Sequence, residues 1–530
     1  MSRRQALQGV AGAAALIAVL TVLARLAGFG RTLVFTNAVG AGSTGDTYLA
    51  ANTVPNIVFE VVAGGALASL VVPMLAGGIA AGDHEQVRRT ASALLGWSLL
   101  VLTPLAVLVA VLAGPIARLL LGSADDAQVD LAARFLVVFA PQVLLYGIGI
   151  VLTGVLQAHR RFAMPALAPL LSSLVVAGAY LVFAALGGSR SAADLSTPAE
   201  LVLSVGTTLG VAALSLSLLV PMRRLGLGLR PSLRFPVGAA PRVRRLAVAG
   251  VLTLAGQQLL AAVAIRLANT GAPDGTQVVY VAGLTLFLVP WAALAVPLAT
   301  SAYPGLSERA DAGDESGYRA VLAPVTVLVV TASLVAAAVL VAVSGPMARV
   351  FLAAGPPEAV AALRDTIVAF APGLAGYGLV AVLTRALYAR GLWRAPTACV
   401  VAGWLVAVTA DVVLAAVLPA ADRATALGAG HSAGVTVAGV ALLVVVLRVT
   451  GPAGLAGVAR VGGPALVAAG LAAAAGLAVA GALGADPVPR GSLVSVVGAG
   501  VLAAAAALAV AGAVMMGTAW RPLRAAVRGL

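Results

Sequence analysis

This sequence predicts an all-α fold: a polytopic membrane protein of about fourteen transmembrane helices, arranged as two parallel six-helix lobes around a central cavity, with two further helices at the C-terminal end. Three observations carry that expectation. Of 530 residues, 61% are hydrophobic and 10% charged, where soluble domains carry roughly a quarter charged. Apolar runs of about 20 residues, long enough to cross roughly 30 Å of hydrocarbon as a helix, recur along nearly the whole chain. A long stretch near the middle of the first half returns in the second half at a constant offset.

In chain order the apolar segments run over about 6–36, 46–78, 89–112, 131–157, 164–186, 199–220, 245–268, 277–304, 320–343, 362–388, 396–419, 428–448, 463–484 and 492–516. The first follows a basic "MSRRQ" and has the look of a signal peptide. Its apolar run continues through Arg25 into "TLVFTNAVG" without a clear A-x-A cleavage site, so it reads as retained. The second and eighth hold "VVAGGALASL" and "VPWAALAVPLATSAYP", whose glycines and prolines mark bending elements: Pro55, Gly64, Gly65 and Pro290 are the hinge candidates.

The repeat is explicit in the letters. "GPIARLLL" at 114–121 matches "GPMARVFL" at 345–352, and "FAPQVLLYGIGIVLTGVLQA" at 139–158 matches "FAPGLAGYGLVAVLTRALYA" at 370–389, both 231 residues apart. Pro, Tyr and Arg recur in it, which drift in Ala, Val and Leu does not produce. Six segments precede the start of the second copy, an even number, so the copies share one orientation. The expected divisions are 1–221, a basic linker 222–244, a second lobe 245–450, and 451–530 with the two added helices and a basic tail.

The net charge of +14 comes from arginine alone among the basic residues. With an inside start, the ends expected in the cytoplasm hold the "RR" pairs at 3–4, 88–89, 160–161, 223–224 and 244–245, while the opposite side holds Arg118, Arg134, Arg190, Arg349, Arg364, Arg423 and Arg490. That bias is the positive-inside rule, with both termini cytoplasmic in a plasma membrane, and it makes the surplus topological instead of a nucleic-acid footprint. "AHRRF" at 158–162 then reads as a cytoplasmic turn. The lone Cys399 excludes an internal disulfide framework, His84, His159 and His431 lack metal-ligand spacing, and no nucleotide loop or nucleophile elbow occurs. No enzyme, cofactor or metal is expected.

Charges inside apolar segments are costly and mark a site or a partner. Arg25 and Arg31 flank Gly28 and Gly30 in the first segment; they either face a water-filled cavity or pair with Asp46. Asp46, after "STG", is either part of a site or the N-cap of its helix. Glu60 and Asp411 are candidates for ion coupling, the alternatives being pairing to Arg or protonation in place. Arg266 lies about 80° from Gln258 around a helix and shares its face; a planar guanidinium suits a diphosphate, and the other reading is that it snorkels to the interface.

The stretches "RLAGFGRTLVFTNAVGAGSTGDTYLAANTVPN", "GALASLVVPMLAG" and "GVLQAHRRFAMPALAP" resemble the MurJ/MviN family of lipid II flippases, within the multidrug/oligosaccharidyl-lipid/polysaccharide exporter superfamily. The resemblance implies alternating access between two lobes that carry a lipid-linked peptidoglycan precursor to the outer leaflet. It places Arg25 and Arg31 on the family's first-helix arginines, Asp46 on its second-helix acid, and Pro55 and Asn56 on its P-N break. Three departures stand out: Phe59 where the family has Arg, Gly64 where it has Glu, and Thr285 beside Leu284 where it has a cavity Arg with an acidic neighbour. The implied partners are membrane lipid, a lipid-linked oligosaccharide substrate and cell-wall synthesis proteins. Energy would come from the membrane potential or an ion gradient. Export of another lipid-linked glycan or small cation, and a transport-inactive scaffold acting through the basic linker, are the alternatives.

Overall fold

The computed structural model describes residues 3–60, 71, 74–75, 77–79, 81–122, 124–234, 239–486 and 491–528, with side chains placed from Val19 onward and outside 239–253. Every regular element among these is helical. The chain divides into two compact units, Met1–Gln258 and Leu259–Leu530.

The first unit contains α1 (Arg3–Ala38), α2 (Ser43–Val58), α3 (His84–Val111), the short α4 (Ala113–Leu121), α5 (Asp126–Ala158), α6 (Ala163–Ala185), α7 (Thr197–Leu216), α8 (Leu219–Arg223) and most of α9 (Ala239–Ala268). Its core is built on α5, which packs against α2, α3 and α7, while α1 lies along α6. The second unit contains α10 (Thr276–Pro290), α11 (Val296–Asp311), α12 (Glu315–Ala342), α13 (Ser344–Phe351), α14 (Pro357–Phe370), α15 (Gly373–Ala389), α16 (Arg394–Val417), α17 (Arg423–Thr450), α18 (Val458–Ala482), α19 (Leu493–Thr518) and α20 (Trp520–Arg528). The added pair α18 and α19 packs against α12 through a layer of alanines that includes Ala338, Ala342, Ala472 and Ala507. Small residues let helices approach where lipid offers no hydrophobic drive between them. On α16 and α17 this is extreme: Gly434 would place a Cβ 2.5 Å from that of Ala407, and a Cβ on Gly430 would collide with the Asp411 carboxylate.

The duplication is legible in local geometry. Asp83 caps α3 by accepting from the Gln86 N–H, and Asp314, 231 residues on, caps α12 by accepting from Gly317, both at 2.8 Å. Gly82 and Gly313 precede these caps at φ 69° and 68°. Such side-chain caps satisfy one of the orphan donors of a helix start.

Eleven described helices are long and apolar enough to cross a membrane, twelve when α14 and α15, bent by 45°, form one crossing. The expected second and seventh crossings fall partly on residues 61–70 and 235–253, beyond the described backbone or side chains, so fourteen is not reached among the described residues. Within the 46–78 segment the regular helix ends at Val58 and gives way to a π turn at 59–60. Likewise the 277–304 segment divides into α10, a π turn at Trp291–Ala295 and α11. Each turn follows a proline, Pro55 or Pro290, whose missing N–H breaks the ladder of i→i−4 bonds.

Candidate substrate and coupling sites

In the first unit, Arg25 is exposed and Arg31 half-buried on the last part of α1, and neither forms an ion pair among the described residues. Between them, a Cβ on Gly28 or Gly30 would meet nothing within 4 Å, so the helix surface is open at both glycines. Asp46 is buried in the first turn of α2, and it is not the N-cap. That position is Gly42, because the helix begins at Ser43, and the Ser43 hydroxyl instead accepts from the Ala192 N–H at 3.0 Å while the Arg190 carbonyl accepts from Thr44. The carboxylate still lies where a helix dipole favours negative charge.

Asn56, half-buried near the end of α2, accepts a 2.9 Å hydrogen bond from the Tyr146 hydroxyl on α5. Phe59, at the π turn, packs tilted against the same tyrosine with ring centroids 4.5 Å apart and planes 37° apart. Pro55 is buried one turn earlier, Glu60 is exposed without an ion pair among the described residues, and Gly64 and Gly65 lie outside the described residues. About two turns back along α2 sits a closed polar centre: the Tyr48 hydroxyl bonds Tyr180 at 2.8 Å and Thr207 at 2.7 Å inside a ring of Phe35, Phe135 and Phe139.

On α9, Gln258 is half-buried at the end of the first unit, and Arg266, in the second, is exposed near the helix end, with the Arg266 carbonyl accepting from the Thr270 hydroxyl. Thr285 turns its hydroxyl back to the Val281 carbonyl at 2.8 Å, and so offers its own helix the bond a charged residue would offer a substrate. Pro290 is half-buried at the π turn, where Trp291 stacks on Tyr377 at 4.4 Å and donates its Nε1–H to the Tyr377 carbonyl at 3.1 Å. Tyr146 and Tyr377 are 231 residues apart, so both π turns close on the same tyrosine of the repeat.

Asp411 on α16 is fully buried, and neither carboxylate oxygen has a hydrogen-bond partner among the described residues. The same holds for both ring nitrogens of His431, on facing helix α17, enclosed by Phe287, Phe370, Tyr377 and Trp404. Buried polar groups without partners are costly and are kept where they are used. Sequence reasoning singled out Asp411 and passed over His431; the signal it left unused was Gly430, the small residue that brings α17 against the acid. No group of three or more His, Cys, Asp or Glu able to hold a metal occurs among the described residues.

The sequence profile of the family described as "Lipid II flippase MurJ" matches residues 35–485. A "Probable lipid II flippase MurJ" of Synechocystis sp. is 27% identical over 417 residues, 73% of either chain. One of Vibrio cholerae is 23% identical over 414 residues, 76% of either chain. Among solved structures, "Lipid II flippase MurJ, inward closed conformation" aligns at a TM-score of 0.71 and 15% identity, over 93% of this chain and 98% of that one. The inward-facing form of a multidrug resistance MATE family transporter of the MOP superfamily aligns at 0.64 and 14% identity, over 81% and 94%. At these identities the two structures speak for the fold.

Proposed function

We propose, from the premise that this chain belongs to the MurJ family of lipid II flippases, that it moves lipid II from the inner to the outer leaflet of the plasma membrane by alternating access, with both termini cytoplasmic. The observation that carries this reading is the family match across residues 35–485. In such carriers one bundle rocks against another around a site near the midplane, and the π turns after Pro55 and Pro290 are the elements built to bend.

The diphosphate of the substrate is the group that needs cations in a medium of low dielectric. Arg25 and Arg31 supply them from α1, with Asn56 of the same unit as a polar contributor. Each planar guanidinium donates paired, charge-assisted hydrogen bonds that a lysine cannot reproduce. Asp411, buried without a partner, is the coupling residue for an ion gradient or the membrane potential, and Asp411→Asn should abolish dependence on the gradient while leaving folded protein. Cell-wall synthesis proteins are the partners that such a role would require.

Complementation of a MurJ-depleted cell tests the reading directly. The intact chain should restore growth, Arg25→Ala and Arg31→Ala should not, and Arg→Lys should rescue poorly. Loss of one such bond, about 2 kcal/mol, corresponds to roughly 30-fold in binding of purified protein to lipid II. Both residues are at least partly exposed, so their removal should leave surface expression near normal. Growth failure of the intact chain at normal expression would reject lipid II as cargo. The packing of Phe59 against Tyr146 and the inward-turned Thr285 hydroxyl favour a second cargo reading, a related lipid-linked glycan. Thr285→Arg, alone or with Phe59→Arg, should raise lipid II affinity if the site is only depleted in charge, and should leave it unchanged if the native cargo differs.

A further inference from the structure

The linker expected between the lobes is not loose where it is described. Its 230–234 stretch lies along the N-terminal part of α3: the Ser232 N–H donates to the Ser92 carbonyl at 3.0 Å, the Arg230 N–H to the Ser92 hydroxyl at 3.3 Å, and the Trp97 Nε1–H to the Leu233 carbonyl at 3.0 Å. A Cβ on Gly96 would collide with the Ser232 carbonyl, so only glycine admits the strand at this depth. This seam creates two adjoining concavities. One, of about 720 Å³, is lined by Arg88, Arg89, Arg230 and Arg234, with Asp83 and Glu85. The other, of about 450 Å³, runs on from Pro231 and Ser232 along Leu99, Leu100, Thr103 and Pro104.

Charge and cover together define an occupant. Glu85 accepts from both Arg88 and Arg89 at 2.7 Å, which leaves Arg230 and Arg234 without an ion pair among the described residues and the basic concavity in net positive excess. The apolar groove has a counterpart in the second unit at the repeat spacing: Thr103 and Pro104 correspond to Leu334 and Val335, which are covered there by Ala469, Ala472 and Ala507 of α18 and α19. Among the described residues nothing equivalent covers α3, where Leu100 and Leu233 stand exposed beside the groove. A site basic at one end and apolar along the next two turns of a membrane helix fits an amphiphile lying parallel to that helix.

We propose that this seam is a binding site for an anionic phosphate-headed lipid of the leaflet on the Arg88 side, its phosphate held by Arg230 and Arg234 beside Arg88 and Arg89, and its chain lying along Leu99, Leu100 and Pro104. The arginine forks supply paired donors to phosphate oxygens. A choline headgroup is repelled by the same cluster. The site lies wholly in the first unit and shares no residue with the proposed substrate site.

Native mass spectrometry of the delipidated full-length protein, titrated with palmitoyl-oleoyl phosphatidylglycerol, measures it. One phosphatidylglycerol should be held more tightly than phosphatidylcholine. Juxtamembrane arginines contribute about 5-fold each, so Arg230→Ala with Arg234→Ala should weaken retention about 25-fold. Thr103→Trp, which fills the apolar groove from an exposed position, should weaken phosphatidylglycerol retention too, while inorganic phosphate should compete only at far higher concentration than the lipid. Equal retention of phosphatidylcholine, unchanged retention in both variants, or displacement by inorganic phosphate at matched concentration would each overturn the proposal, the last by making this a site for a soluble anion.

Discussion

Each unit has an aromatic-walled centre, and the two treat a buried polar group in opposite ways. In the first, the Tyr48 hydroxyl is paired on both sides, by Tyr180 and Thr207. In the second, His431 has four aromatic neighbours and no hydrogen-bond partner among the described residues, and Asp411 is equally alone. A satisfied buried group fixes one packing, whereas an unsatisfied one stores a cost that a proton, an ion or a second conformation can relieve. The comparison therefore assigns rigidity to the first centre and responsiveness to the second, although both descend from one ancestral unit.

The largest effect should come from removing the polar atoms themselves. Tyr48→Phe leaves the Tyr180 and Thr207 hydroxyls with one partner fewer each and should cost about 1–3 kcal/mol. His431→Phe puts an apolar ring of similar size into an apolar cage and should stabilise by about 1–2 kcal/mol. Thermal unfolding of purified protein in one detergent reads both signs. Destabilisation by His431→Phe would mean that the imidazole has a partner, and the contrast between the centres would collapse.

A smaller difference separates the two tyrosines of the repeat. Tyr146 uses its hydroxyl, donating to Asn56, while Tyr377 uses its ring and its backbone carbonyl, with no hydrogen bond from its hydroxyl among the described residues. Tyr146→Phe should cost about 1 kcal/mol and Tyr377→Phe nearly nothing. Equal shifts in unfolding temperature would show that the ring contacts, and not the polar contacts, hold the π turns.

Much of this was legible in the letters because the repeat is carried by Pro, Tyr, Gly and Arg, whose backbone and ring demands are specific, and not by the Ala, Val and Leu that fill every membrane helix. Helix existence followed from hydrophobic run length. Helix starts did not: three small residues, Ser43, Thr44 and Gly45, join α2 ahead of Asp46, since a buried turn braced by the 190–192 backbone can begin a helix with any small polar residue. The site charges were visible as charges. Their surroundings were not, because whether Arg25 is exposed or Asp411 lacks a partner depends on neighbours from helices far away in sequence.

The smallest expected effect tests how far the two copies share a backbone. α5 and α15 end in the same way: the Arg160 N–H bonds the Gln157 carbonyl and Arg161 that of Leu156, while Gly391 bonds Tyr388 and Leu392 bonds Leu387. This is the Schellman pattern, which places the residue after the helix in the left-handed region. Gly391 occupies it at φ 73° without penalty, but Arg160 sits there at φ 59°, the one non-glycine residue with positive φ among those described. A side chain in that region costs about 1 kcal/mol, and glycine returns part of the gain through its freer unfolded chain. Arg160→Gly should therefore stabilise by about 0.5 kcal/mol, and Gly391→Arg should destabilise by about 1 kcal/mol. Arg160 makes no ion pair among the described residues, and its neighbour Arg161 retains charge at that turn, so topology should be unaffected. A loss of stability in Arg160→Gly would mean that the arginine side chain contributes more at this turn than its backbone strain removes, and that the first copy exchanged a relaxed turn for an anchoring charge.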